Sequence, residues 1–404
     1  MRLPGLLQNN METIYLDNSA TTPLCEEARA ALTEMMDCYG NPSSVHSVGQ
    51  LASQKMESAR AQIAAALGLR GPIVPGTAAP GHIVFTAGGS EADALALFGT
   101  ARAKARRTAN KIVTTDSEHS AVEEVMQQLA KEGWEVVRIS TRGGVLDMEQ
   151  LDAVLDENVF LVSMMMVNNE TGAQYDLKSA FSLAKQRNRT VITHTDAVQG
   201  FLKCRFTPAS IGADLVSVSG HKVHAPKGVG ALYINPALIK AKAIVPVQLG
   251  GGQEMGLRSG TENVMGIVAF GAACAALSTR LDADIAHMAQ LREQAIAALD
   301  ELGIACKQPR GACAPHIINL TLPQIKSETM LHFLSARGVC VSAGSACAAH
   351  GKKTSRALAA FGATAAEADS SLRISLSPYT TEAEIAALCD ALGAGLSTLV
   401  RMRR

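Results

Sequence analysis

Asp214-Leu215-Val216-Ser217-Val218-Ser219-Gly220-His221-Lys222 is an apolar run that stops abruptly on Gly-His-Lys. Upstream, Val191-Ile192-Thr193-His194-Thr195-Asp196 has the same form and stops on an aspartate. Short runs of β-branched and aliphatic residues closed by small polar ones read as buried strands. Working outward, residues 82–86, 111–115, 135–139, 159–167, 190–193, 215–219 and 230–234 are strand candidates. Helix-period patterns lie between several of them, at 90–102, 121–131 and 179–186. Strand and helix in alternation predict βαβ units, hence an α/β fold with a mostly parallel sheet. In such sheets ligands gather at the carboxyl ends of the strands, so the polar residues that close each run matter most.

The tail reads differently. A long Ala- and Leu-rich helical pattern covers 266–299. Short strands at 316–322, 339–342 and 371–375 and helices at 327–336 and 382–402 follow it. This predicts a smaller α+β domain of residues 1–22 and 272–404 beside a large domain of 23–271. Residues 71–81, rich in Gly and Pro, read as an inserted loop.

Four strand ends carry candidate chemistry. Gly88-Gly89-Ser90-Glu91 follows a strand and opens a helix. It is either an anion cup at a helix N-terminus or a tight turn with Ser90 as N-cap. Asp196 can hold a cationic ring nitrogen or a metal, or simply cap a helix. Lys222, poorly solvated at a strand end, is a candidate amine nucleophile. His119, after the 111–115 strand, can stack on a ring and shuttle protons, or be an ordinary loop residue. A lysine, an aspartate and an anion cup are the three parts pyridoxal phosphate requires, and their occurrence together is far more specific than any one alone.

Composition narrows the function classes. The 404 residues hold 37 Lys plus Arg and 37 Asp plus Glu, so the chain has no net charge. That argues against direct nucleic-acid binding. Apolar residues at 47% suit a packed fold, and no run of about 18 apolar residues predicts a membrane span. Residues 1–10 lack a signal-peptide pattern and read as an extension, or as lying upstream of a second start at Met11. Nine cysteines, an odd number with no CxxC pair, disfavour a disulfide scaffold and a zinc ribbon. They predict buried thiols, no metal site and a cytoplasmic, reducing setting. Cys347 is the exception: it sits in a Gly/Ser/Ala segment followed by His350, Lys352 and Lys353, surroundings that stabilise a thiolate.

Together these segments resemble the cysteine desulfurases, pyridoxal-phosphate enzymes of fold type I in the class V aminotransferase superfamily. The resemblance runs from about Ile14 to about Leu388. It rests on Tyr15-Leu-Asp-Asn-Ser-Ala-Thr-Thr22, Gly40-Asn41-Pro-Ser-Ser44, the Gly88–Asp93 turn, Val167-Asn-Asn169-Glu-Thr-Gly172, Asp196–Gln199, Ser219-Gly-His-Lys222, Arg258-Ser-Gly-Thr261-Glu-Asn263, Ser345-Ala-Cys347 and Leu372-Arg373-Ile-Ser. Several of these are specific to the desulfurase subgroup. The resemblance implies that Lys222 is the Schiff-base lysine, that Asp196 pairs with the pyridinium nitrogen and that Gln199 bonds the ring hydroxyl. His119 would stack on the ring. Gly89, Ser90, Ser219 and His221 would hold the phosphate, with Thr261 reaching the phosphate of the other subunit in a homodimer. Asn41, Asn169 and Arg373 would bind the substrate carboxylate, and Cys347 would be the nucleophile. The implied reaction takes L-cysteine to L-alanine and leaves a persulfide on Cys347 for sulfur-acceptor or iron–sulfur scaffold proteins.

Three features depart from the pattern: the 71–81 insertion, the Ala-Ala-His after Cys347, and residues 1–10. A selenocysteine lyase or related lyase is the alternative on the same scaffold. A non-catalytic sulfur-relay protein is the alternative from another class, but it has no use for Lys222, Asp196 and a phosphate cup together.

Overall fold

The computed structural model describes residues 13–69, 82–103, 109–343 and 355–399. Cys347 with its basic neighbours, the 71–81 insertion and residues 1–10 lie outside these. Strand β1 (Ile14–Tyr15) comes first. Seven strands then form the main sheet: β2 (His82–Thr86), β3 (Lys111–Thr115), β4 (Glu135–Ile139), β5 (Val159–Ser163), β6 (Ile192–Asp196), β7 (Leu215–Ser219) and β8 (Gly230–Ile234). Their spatial order is β2-β8-β7-β6-β5-β3-β4. Neighbours from β7 to β4 run parallel; β8 runs antiparallel to both β2 and β7. This is the mostly parallel α/β sheet expected from the alternation.

Every residue of β5, β6, β7 and β8 is buried. Both faces of the sheet are covered, which is why these strands read as unbroken apolar runs. Successive side chains go to opposite faces. Val162, Val216 and Ala231 join one core with Phe181, Phe201 and Phe270. Leu161, Leu215 and Leu232 join the other with Leu95, Met126 and Leu129.

The C-terminal part builds a four-stranded antiparallel sheet from β9 (Ala305–Lys307), β10 (Ile317–Thr321), β12 (Ser342–Ala343) and β13 (Ser371–Ser375), in the order β12-β13-β10-β9. Strand β11 (Val339–Cys340) pairs in parallel with β1 instead. Leu16 enters the apolar core of this part with Leu291, Ile318, Leu372 and Leu388.

Four of the boundaries that differ from the sequence reading bear on the fold. The 159–167 run leaves the strand after Ser163, although Met164 and Met166 still donate backbone bonds to the carbonyls of His194 and Asp196. The 190–193 strand starts later and runs on to Asp196, because Thr190 belongs to a turn in which Asn188 Oδ1 accepts its N–H and hydroxyl. The 266–299 pattern is two helices, Val264–Ser278 and Leu281–Glu301, bent by 75°. At the break the Arg280 guanidinium lies over the Tyr379 ring at 4.7 Å and pairs with Asp284 at 3.1 Å. The 339–342 run is split between β11 and β12, which belong to different sheets. Among the described residues no single helix is long and apolar enough to cross a membrane.

Candidate active site

The carboxyl ends of the parallel strands open on a cavity of about 260 Å³. Nine of the residues singled out from sequence line it: Gly89 and Ser90 after β2, His119 after β3, Asn169 after β5, Asp196 and Gln199 at β6, and Ser219, His221 and Lys222 at β7. Four parallel crossovers deliver these side chains to one edge.

Lys222 ends the short turn Gly220–Lys222. Its Nζ donates to the carbonyls of Ser19 and Ala20, each at 2.7 Å. The segment carrying those carbonyls is pinned to the same turn: the Thr22 N–H donates to the His221 carbonyl at 2.9 Å, and Thr21 Oγ1 lies 3.2 Å from His221 Nδ1.

Asp196 closes β6 and is 6% exposed. Its Oδ1 accepts the Val198 N–H at 2.9 Å. Burial pushes its pKa up, while His119, the Val198 N–H and Lys222 pull it down. His119 caps the helix Ser120–Lys131, with Nδ1 accepting the Ala121 N–H at 3.1 Å. The capping role and the cavity position coexist. Burial lowers its pKa, and the cap bond to Nδ1 places the proton of the neutral ring on Nε2.

The other end suits an anion. Ser219 Oγ is buried without a hydrogen-bond partner. It faces the start of the helix Gly89–Ala101, whose N-cap is Gly88 and not Ser90. Ser90 is exposed at the second helical position. A Cβ on Gly89 would lie 2.7 Å from Val198 Cγ2, so only glycine leaves the first-turn N–H groups accessible at this spacing. Gly230 is required for the same turn: β8 starts where β2 and β7 end, and a Cβ there would meet Gly88 Cα at 2.7 Å. Burial holds the His221 pKa down at about 4, so it is a neutral hydrogen-bonding group.

Arg373, in β13, stands behind the cavity wall. Its Nη1 donates to the Asn169 carbonyl at 3.0 Å and its Nη2 pairs with Asp17 Oδ1 at 2.9 Å, while Nε is buried without a partner. Asn41 and Thr261 are exposed and do not line the cavity. Asn41 Oδ1 accepts the Ser43 N–H at 2.9 Å within its own turn.

Residues 14–388 match the family model described as aminotransferase class-V. The chain belongs to this family. A cysteine desulfurase of Trichormus azollae is 36% identical over 379 residues, 93% of this chain and 90% of the relative. A solved NifS-like protein superposes with a TM-score of 0.87 at 34% identity, over 96% of this chain and all of that one. A structure described as SspA in complex with cysteine superposes with a TM-score of 0.75 at 30% identity, over 91% of this chain and 99% of that one. Class-V aminotransferases use pyridoxal phosphate, and the orphaned Ser219 hydroxyl, the glycine cradle, Asp196 and Lys222 fit that group.

This class-V site also contains residues to which the sequence reading gave no role, three of them inside motifs it quoted. Ser19, Asp93, Met165 and Val167 line the cavity. Asp93 is 1% exposed; burial first, and the charge of Asp196 second, hold its pKa well above the usual carboxylate range. Behind it, His194 Nε2 lies 3.6 Å from Asp93 Oδ1 and 3.0 Å from Ser217 Oγ. Burial lowers the His194 pKa to about 3, so this contact is not an ion pair. Glu118 accepts Thr115 Oγ1 at 2.6 Å and the Met165 N–H at 2.9 Å, and burial pushes its pKa to about 8. Of three buried carboxyls near the cavity floor, Asp196 is the one drawn down by both His119 and Lys222. The signal for Asp93 was a carboxylate in the otherwise apolar stretch Ala92–Leu97.

Proposed function

We propose that this chain is a cysteine desulfurase: with pyridoxal phosphate on Lys222, it converts L-cysteine to L-alanine and leaves the sulfur as a persulfide on Cys347. Sulfur-acceptor or scaffold proteins of iron–sulfur assembly or thio-modification then draw on that persulfide. The observation that carries the reading is the convergence of Lys222, Asp196, His119 and the partnerless Ser219 hydroxyl on one cavity.

When bound, the cofactor supplies an electron sink for the pair left by the departing α-proton. Lys222 Nζ would hold the cofactor's aldehyde group and, once released from it by the substrate amine, would take the α-proton and return a proton to Cα at the end. Asp196 would pair with the ring nitrogen, whose positive charge favours the carboxylate. His119 would carry its mobile proton on Nε2, and Gln199 would donate to the ring hydroxyl oxygen. The first-turn N–H of Gly89 with Ser90, Ser219 and His221 would hold the phosphate, joined by Thr261 of a second subunit. Asn41, Asn169 and Arg373 bind the substrate carboxylate, and the partnerless Arg373 Nε supports that role. The Cys347 thiolate forms an S–S bond to the substrate sulfur as the substrate Cβ–S bond breaks. The electron pair of that bond stays with Cβ, which takes up a proton to become the alanine methyl.

A homodimer is supported by apolar surface around Asn41 and Thr261, the exposed site residues that do not line the cavity. Asn41 lies between Tyr39 and Val45, which are 85% and 90% exposed. Leu249 and Met255, 80% and 55% exposed, precede Thr261. The two stretches approach each other, since Met35, Ala52 and Val264 pack as one cluster. Apolar patches of this sort mark interaction faces.

The test is alanine and sulfide release from L-cysteine under reductant, by the wild type and Cys347→Ala. The variant should keep the cofactor's visible band and lose turnover by ~10² or more. Full activity in the variant removes the persulfide step, and no visible band in the wild type with pyridoxal phosphate removes the enzyme reading.

A further inference from the structure

Gln199 is held from both ends of its amide. Its Nε2 donates to the Ser19 carbonyl at 2.9 Å. Its Oε1 faces two donors, Lys203 Nζ at 3.3 Å and His316 Nε2 at 3.4 Å. The orientation of an amide follows from such partners. As an ammonium, lysine has three donors and no acceptor, so in that form Lys203 can face only the oxygen. His316 is fully buried, burial keeps its ring neutral, and its Nδ1 has no partner, so the ring proton belongs on the Nε2 that faces Gln199. Turning the amide over would set an NH₂ group against two donors and a carbonyl against the Ser19 carbonyl.

Lys203 is a costly residue at this place. It is 6% exposed. Burial lowers its pKa to about 7, and the charges of Lys222 and Arg373 act in the same direction; Cys204 alone opposes them. An aliphatic side chain would fill the volume without a buried amine. We propose that Lys203 is a positioning residue of the cofactor site, which with His316 locks the Gln199 amide so that its remaining N–H is presented to the ring hydroxyl oxygen. This rests on the desulfurase reading above.

A donor at that oxygen favours its deprotonated form. Loss of the lock therefore raises the pH midpoint at which the visible band of the cofactor-loaded protein titrates. The test is this spectrophotometric titration in wild type, Lys203→Met, Gln199→Ala and the double variant. Lys203→Met should raise the midpoint by about one unit, the loss of one charge-assisted hydrogen bond. In the Gln199→Ala background the same substitution should move it by only a small fraction of that. A midpoint unmoved by Lys203→Met, or moved equally in both backgrounds, overturns the inference while leaving the cofactor reading intact. No band in the wild type overturns both. If Lys203→Met does not fold, His316→Phe removes the second donor and should shift the midpoint in the same direction, whereas no shift overturns the lock.

Discussion

The seven-stranded and four-stranded sheets both have strands buried along their whole length, yet they hold functional groups in different ways. Parallel strands β2, β3, β5, β6 and β7 all finish at one edge, so residues far apart in sequence meet there through turns alone. In the antiparallel sheet successive strands finish at opposite edges. Arg373 accordingly projects from the middle of β13 and is held by an ion pair to Asp17 and a bond to the Asn169 carbonyl. A group at a parallel strand end is positioned by backbone; a group on an antiparallel strand needs a charged partner.

The contrast predicts unequal sensitivities. Lys222→Ala removes the amine at the parallel edge and should cost roughly 10²–10⁴-fold in alanine formation, with the cofactor lost on gel filtration. Activity within tenfold of wild type would mean that the chemistry lies elsewhere.

Glu118→Gln tests the same edge through stability. The folded protein keeps the Glu118 proton up to about pH 8, whereas the unfolded chain releases it near the ordinary value of 4.5. The native state thus binds more protons between those values, and wild-type stability falls as pH rises through that window. The glutamine variant, which mimics the protonated side chain, should gain on wild type from pH 4.5 to about 8 and then run parallel. The plateau should be on the order of a few kcal/mol. Urea unfolding of the apoprotein at a series of pH values measures it, and a flat difference would show Glu118 ionised in the fold.

Arg373→Lys probes the antiparallel sheet and should have the smallest effect. It keeps the charge but loses the fork that spans Asp17 and Asn169. The expected result is about a tenfold rise in KM for cysteine with a lesser change in kcat. A kcat loss equal to that of Lys222→Ala would erase the distinction between the two sheets.

The parallel edge was legible because buried strands have to read as apolar runs, and each polar residue that interrupts such a run stands out. Asp196 and Lys222 were visible for that reason. Asp93 figured only as the end of a motif, and its place in the cavity was not visible, because a carboxylate on a helix ordinarily means a solvated face. Lys203 and His316 were hidden too: nothing local marks which amide a buried amine or imidazole will face. The bend after Ser278 carries no Gly or Pro, and its Arg280 contact to Tyr379 crosses about a hundred residues of chain. The split of 339–342 between two sheets likewise depends on partners, Tyr15 for Cys340 and Arg373 for Ser342, that no local pattern announces.

The two carbonyls under Lys222 belong to a strip suspended from the far end of the chain. The Ile14 N–H bonds the Gly338 carbonyl, the Leu16 N–H bonds the Cys340 carbonyl, and the Asn18 side chain bonds the Ser375 carbonyl. During synthesis this strip leaves the ribosome well ahead of these anchors, the Asn18 and Ser375 partners being 357 residues apart. The large sheet can collapse around its own strands long before then, since domains form as units while the chain emerges. The lysine's seat is only half held by then. Residues 19–22 meet Gln199, His221 and Lys222 of the large sheet, but their anchors on β11 and β13 are still to come, so a polypeptide halted at about residue 330 would own every polar strand end of the main sheet and lack one side of the strip's support. Translation through β13 is thus built into the full anchoring of the site.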